Sequence, residues 1–104
     1  MANSDHAVIV HFLYGSTDLS RVYALEDELV EALEMAEAGE FDGNEMAADG
    51  SDGYLYMYGP DADILFNAIK PVLESADFMK NAKAKLRFGP PNEGAREVDV
   101  IIGA

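Results

Sequence analysis

The order in which strand and helix periodicities follow one another is the feature of this sequence that most constrains its fold. Five segments have the β-branched, aromatic or alternating composition of strands, and two longer segments have the periodicity of amphipathic helices. Along the chain they run strand, helix, strand, strand, helix, strand, strand. This mixture predicts an α+β architecture. The predicted strands cover residues 7–15, 41–48, 54–58, 83–88 and 98–102.

The first helical segment, 19–38, has an apolar stripe on one side and acids on the other. We expect its N-cap among Ser16, Thr17 and Asp18 and its end at Gly39. The stripe consists of Val22, Leu25, Leu29, Leu33 and Ala36. The acids on the far side are Asp27, Glu28, Glu31 and Glu34.

The second helical segment begins at Gly59-Pro60-Asp61, where Asp61 and Asp63 suit the positive end of a helix dipole. The apolar stripe continues past Pro71, so we expect a kink at this proline and no helix end. The stripe consists of Ile64, Leu65, Ala68, Ile69, Val72 and Leu73.

These elements predict a ferredoxin-like split βαβ sandwich: an antiparallel sheet, two helices on one face, and one extra C-terminal strand. The 104 residues suit a single domain over 1–104. Gly43 interrupts the second strand, which predicts an edge position or a bulge there. The loop at 89–94 is short enough for the last two strands to pair as a hairpin.

The composition excludes several functional classes. With no cysteine, the chain cannot be a disulfide scaffold, a zinc finger, an iron–sulfur protein or a thiol enzyme. With 20 acids against seven bases, its net charge of −13 disfavours binding to nucleic acid or an anionic membrane and favours a basic protein partner. We expect a cytoplasmic protein, because no apolar run suits a bilayer and residues 1–5 lack the pattern of a secretory signal.

Four blocks of this sequence resemble a group of small, acidic bacterial proteins that have no assigned activity. The resemblance covers most of the chain and implies the ferredoxin-like fold again, with no catalytic residues to transfer. The blocks are ALEDEL at 24–29, GEFDGNE at 39–45, YMYGPDAD at 56–63 and RFGPP at 87–91.

Strand alternation places a distinctive set of side chains on the sheet face that the helices leave uncovered. We expect His11 to lie there between a row of tyrosines and a row of cations. This set could form a homodimer interface, could bind a small carboxylate or phosphate as a binding protein or enzyme, or could simply solvate the sheet. The candidate residues are His11, Tyr54, Tyr56, Tyr58, Lys85 and Arg87, and Lys83 is expected on the same face.

Glu26 is a candidate buried carboxylate, because helical geometry places it inside the apolar stripe of the first helix. If it is buried, Arg21 and Lys80 are its candidate partners. The alternative is that it lies at the margin of the stripe and reaches water.

No motif predicts a catalytic site, a metal site or a cofactor. His6 and His11 should lie on opposite strand faces, and the segments that begin at Asp42 and Asp49 depart from the calcium-loop pattern. We therefore predict a non-catalytic binding or regulatory module that forms a homodimer through its uncovered sheet face. The alternatives are a carboxylate- or phosphate-binding protein or enzyme, and an acidic inhibitor or immunity-type protein for a basic partner.

Overall fold

The computed structural model describes residues 5–91 and 94–103 and has an α+β architecture with one antiparallel sheet and two helices. In this part of the chain no helix is long and apolar enough to cross a membrane. A 3₁₀ turn, Asp77–Met79, follows the second helix. The elements are β1 His6–Leu13, α1 Ser20–Ala36, β2 Glu40–Met46, β3 Asp52–Gly59, α2 Ala62–Ser75, β4 Lys83–Arg87 and β5 Glu97–Ile101.

The five strands form one sheet in the order β2-β3-β1-β4-β5, and every neighbouring pair is antiparallel. The most apolar strand, β1, is therefore central, as a continuous run of β-branched and aromatic residues indicates. The predicted hairpin between the last two strands is confirmed, and β2 and β5 are the two edges.

One face of the sheet forms one side of the hydrophobic core. Val8, Val10 and Phe12 of β1 are buried, and in the register Val8 lies opposite Met57 and Val10 opposite Leu55. From β4, Ala84 and Leu86 continue the same rows. The alternation of the strands therefore decides which side chains the helices cover.

The helices cover that face with stripes that differ slightly from the predicted ones. In α1 the residues Val22, Leu25, Leu29 and Leu33 are buried, but Ala36 in the last turn is exposed. In α2 the buried stripe is Ala62, Leu65, Phe66, Ile69 and Leu73. Because Phe66 is buried, the apolar stripe lies further around the helix than predicted. Ile64 therefore lies on the opposite side of the helix and is 54% exposed.

Both predicted ends of α1 are corrected by the structure. The N-cap is Leu19, which makes no side-chain capping bond. The Asp18 carboxylate accepts from the Ser20 N–H, but Asp18 lies one residue before the cap. The helix ends at Glu37, which adopts the left-handed conformation with φ 51°. Gly39 has a different role: its Cα packs against the backbone of Gly59 at the end of β3.

The start of α2 is capped from two directions. The Asp61 carboxylate accepts from the N–H groups of Asp63 and Ile64 at 2.8 and 3.3 Å. Nδ1 of His6 accepts from the Ala62 N–H at 3.0 Å, which ties the first residue of β1 to the helix. The helix then continues through Pro71, as predicted.

The predicted irregularity of β2 is confirmed. The pairing with β3 shifts register between Phe41 and Asn44, and Gly43 in the shift has φ 107°, a conformation that glycine adopts at no steric cost. Beyond the shift, Asn44 lies opposite Leu55 on the helix side of the sheet. The bulge thus directs an amide side chain toward α1.

Candidate functional site: the open face of the sheet

The sheet face opposite the helices, which we call the open face, carries the predicted candidate residues in three cross-strand rows. The register aligns Tyr58, Ala7 and Arg87 in the first row. Tyr56, Ile9 and Lys85 form the second row, and Tyr54, His11 and Lys83 form the third. His11 therefore lies between the tyrosines of β3 and the cations of β4, as strand alternation predicts.

The edge strands add residues to these rows that sequence reasoning missed. On the β2 side, Glu40 lies opposite Tyr58 and Glu45 opposite Tyr54. On the β5 side, Glu97 lies opposite Arg87, Asp99 opposite Lys85 and Ile101 opposite Lys83. The turn between β2 and β3 is the sequence signal that these two strands pair, but the registers of both edge strands do not follow from the length of their connections.

The polar groups of the open face are largely paired within the chain. The Tyr56 hydroxyl donates to the Glu45 carboxylate at 2.6 Å, and Nε2 of His11 lies 2.8 Å from the Asp52 carboxylate. The other two pairs join Lys85 Nζ to Glu97 Oε1 at 3.7 Å and Arg87 Nε to the Gly89 carbonyl at 2.7 Å. His11, Tyr56, Lys85 and the Nε of Arg87 are therefore already engaged.

The aromatic rings of the open face form a continuous stack. The ring centroids of His11 and Tyr54 are 4.7 Å apart, and those of Tyr54 and Tyr56 are 6.2 Å apart with planes 17° from parallel. Hydrogen bonds to Asp52 and Glu45 hold both ends of this stack. Because these rings are already held in place, they lose little side-chain entropy when another surface packs on them.

Exposed apolar side chains gather at one end of the open face. Leu13 is 73% exposed, Ile101 is 45% exposed and Tyr54 is 39% exposed. Tyr54 and Ile101 belong to the same row, and Leu13 is two residues beyond the row's central His11. The face thus combines an apolar end with internally paired polar groups.

The bond to Glu45 has a measurable consequence at high pH. It raises the pKa of Tyr56 from 10.0 to about 12, with smaller contributions from burial and from the charge of Glu45. Because the folded-state pKa is raised, this pair stabilises the fold fully below pH 10, and its contribution is lost as the pH rises toward 12.

We therefore expect Glu45→Gln to move the ionisation of Tyr56 back toward pH 10, measured by tyrosinate absorbance. Glu40→Gln is the matched control, because Glu40 lies on the same strand and face but opposite Tyr58. If Tyr56 ionises at the same pH in Glu45→Gln as in the unmodified protein, the hydrogen bond between the two residues is not the cause.

Glu26 is half-buried, and its partner is not one of the predicted cations. Nδ2 of Asn44 donates to its carboxylate at 2.5 Å. Burial raises the pKa of Glu26, the bond from Asn44 partly offsets this, and the charge of Asp27 raises it again. Ionised Glu26 therefore costs stability at neutral pH, and the cost disappears below pH 4.5, where it is protonated in both the folded and unfolded states.

Arg21 and Lys80, the predicted partners of Glu26, form neither a hydrogen bond nor a salt bridge with it. Arg21 bonds to Asp77 instead, and its guanidinium lies 4.9 Å from the centre of the Phe78 ring. It thereby lines a groove between the start of α1 and the end of α2. The partner of Glu26 depends on how distant segments of the chain pack together, and the spacing of neighbouring residues carries no information about that packing.

No group of three or more metal-ligating side chains occurs within residues 5–91 and 94–103. His6 and His11 lie on opposite faces of β1, as predicted: His6 contacts α2, and His11 contacts Asp52.

A comparison with models of known protein families finds no match, and neither do searches among curated proteins and among solved structures. The resemblance to small acidic bacterial proteins therefore stays a prediction.

Proposed function

We propose that this protein is a non-catalytic binding or regulatory module of ferredoxin-like topology that self-associates through its open face. The topology is supported by the strand order, in which β4, β1, β3 and β2 follow the ferredoxin-like arrangement and β5 extends it. The function is supported chiefly by one observation: exposed apolar and aromatic side chains share this face with polar groups that are already paired inside the chain.

The pairing of the donors favours a protein surface over a small anion as the ligand. A carboxylate or phosphate would have to compete with Glu45 for Tyr56, with Glu97 for Lys85 and with the Gly89 carbonyl for the Nε of Arg87. Covering a flat apolar and aromatic surface with another protein surface gives a larger gain in binding free energy than covering it with a small charged molecule. Tyrosine and arginine are also the residue types that protein interfaces favour.

The charge pattern favours a second copy of this chain as the partner. A two-fold axis parallel to β1, between two facing sheets, would place β3 of each copy over β4 of the other. The tyrosines would then face Lys83, Lys85 and Arg87, a cation–π arrangement, and Ile9 would face its own counterpart.

We expect Tyr56→Asp to give a folded monomer, because it places a new charge in the middle of this interface beside Glu45. The measurement is molar mass in solution at micromolar concentration. Tyr23→Asp is the matched control: it makes the same change at a tyrosine that is 53% exposed on α1, away from the open face, and it should leave the mass unchanged. If Tyr56→Asp has the same mass as the unmodified protein, the proposed interface is wrong.

Two further interpretations stay predictions. A carboxylate or phosphate ligand would use His11, Tyr56 and Arg87, and Arg87→Ala would abolish its binding. An acidic inhibitor or immunity-type protein would present Glu28, Glu31 and Glu34 of α1, all exposed, to a basic partner. Its complex would weaken as salt is added.

A further inference from the structure

Strand β5 is an edge that nothing in the described chain covers. It pairs with β4 on one side only, and four of its five residues are exposed. On the helix side, Val98 is 37% exposed, and Val100 is half-buried at the margin of the core. This strand therefore extends the sheet beyond the area that the helices protect.

The hydrogen bonds around β5 identify which of its backbone groups face outward. Ile102 donates its N–H to the Ala82 carbonyl and accepts from the Asn81 N–H, and the Arg96 carbonyl accepts from the Phe88 N–H. Ile102 and Arg96 thus direct these groups toward the β4 side. Because the direction alternates along a strand, the N–H and C=O groups of Glu97, Asp99 and Ile101 point to the open edge.

The two edges of the sheet differ in their protection against further pairing. β2 carries the register shift at Gly43, and bulges of this kind make an edge unsuitable for a new strand. β5 has a regular register over all five residues and contains neither glycine nor proline. Only β5 therefore offers a straight row of backbone donors and acceptors.

The charges near β5 favour a basic strand over a second copy. If two copies paired antiparallel along the full length of β5, Asp99, the middle residue, would lie opposite its own counterpart. Like charges directly opposite destabilise a strand pair. Asp99 makes no salt bridge with any residue in the described ranges, and the net charge of −13 attracts a cationic segment.

We propose that the outer edge of β5 binds an extended segment of a basic partner protein by β-strand addition. In antiparallel pairing, the segment would place lysine or arginine opposite Glu97 and Asp99 and apolar residues opposite Val98, Val100 and Ile101. The residue opposite Asp99 would exchange both of its backbone hydrogen bonds with Asp99. This site uses the outward backbone groups of β5 and shares with the open face only the side chains of Glu97, Asp99 and Ile101. Peptide binding and molar mass therefore test the two proposals separately.

The test uses a capped synthetic peptide, Val-Val-Lys-Val-Lys, titrated into the isotopically labelled full chain and followed by nuclear magnetic resonance. We expect the amide signals of Glu97, Asp99 and Ile101 to shift, and their hydrogen exchange to slow by about tenfold or more at saturation. The peptide Val-Val-Glu-Val-Glu should bind at least about tenfold more weakly. Shifts centred on the acids of α1, or equal binding of both peptides, would overturn the proposal.

Variants separate the backbone contribution from the charge. Asp99→Pro removes an outward N–H that makes no bond to β4, so it should weaken binding about tenfold, whereas Asp99→Asn keeps the N–H and should weaken it about threefold. The backbone contribution can also be tested on the unmodified protein, with a peptide that is N-methylated at its middle residue, the first lysine. This peptide should also bind about tenfold more weakly. If this peptide binds within about twofold of the parent, strand addition at β5 is wrong.

Discussion

Replacing Gly59 by alanine is expected to destabilise the fold by about 3 kcal/mol, the upper part of the range for overpacking. A Cβ at this position would lie 2.2 Å from the Ala38 carbonyl oxygen and 3.3 Å from the Gly39 Cα. Both neighbours are backbone, so no side chain can rotate away. The chain entering β2 would have to separate from the end of β3, where Glu40 pairs with Tyr58. Thermal or denaturant unfolding measures the loss.

Gly15→Ala is the control for this substitution. Gly15 has φ +88°, so alanine is strained there, but no atom lies within 4 Å of the added Cβ. We expect a cost of about 1–2 kcal/mol from the backbone conformation alone. Gly59 has no positive φ, so a larger loss there must come from the close approach of the two backbones. Equal stability of Gly59→Ala and the unmodified protein would refute that close approach.

Phe12→Ala is expected to cost about 3–5 kcal/mol, a large fraction of the stability of a domain this size. Phe12 is 1% exposed, and its ring centroid lies 5.9 Å from that of Phe78 and 6.3 Å from that of Tyr14. Truncation would leave a cavity between β1 and the 3₁₀ turn after α2. The melting temperature should fall by about 15 °C or more.

Leu13→Ala is the matched control, because Leu13 is the next residue of the same strand and points to the opposite side. It is 73% exposed, so its truncation should change the free energy of unfolding by less than about 0.5 kcal/mol. Comparable losses in Phe12→Ala and Leu13→Ala would contradict the assignment of the two faces of β1.

Periodicity accounts for most of the fold that could be predicted. The alternation from Tyr54 to Tyr58 placed three tyrosines on one face, and the apolar run of β1 predicted its central position. Gly43 predicted the irregularity in β2. In each case the information is local, because a strand's two faces follow from adjacent residues and a bulge from one glycine.

The helix ends were predicted wrongly because other contacts compete for the same residues. Gly39 looks like a helix stop, but it is needed where β2 and β3 approach closely, and Glu37 takes the left-handed position. At the other end, Asp18 accepts from the N–H of Ser20, the first residue of α1, but the cap is the residue between them, Leu19. Helix-capping rules, which use only neighbouring residues, do not show which of several possible contacts a residue will make.

The pairs across the candidate site depend on register and packing. Asn44 reaches Glu26 only because the bulge turns it toward α1, and Asp52 reaches His11 only because β3 begins two residues before Tyr54. Neither fact follows from composition or spacing. These contacts join residues 18 and 41 positions apart in the chain, and they form only once the sheet has assembled.

The molar mass of the unmodified protein in solution, measured by light scattering across a micromolar concentration series, tests the central claim most directly. Self-association through the open face predicts a mass of twice the 11.3 kDa of the single chain, with dissociation on dilution. A mass of 11.3 kDa at every concentration would contradict the claim and would leave the open face without the partner proposed for it.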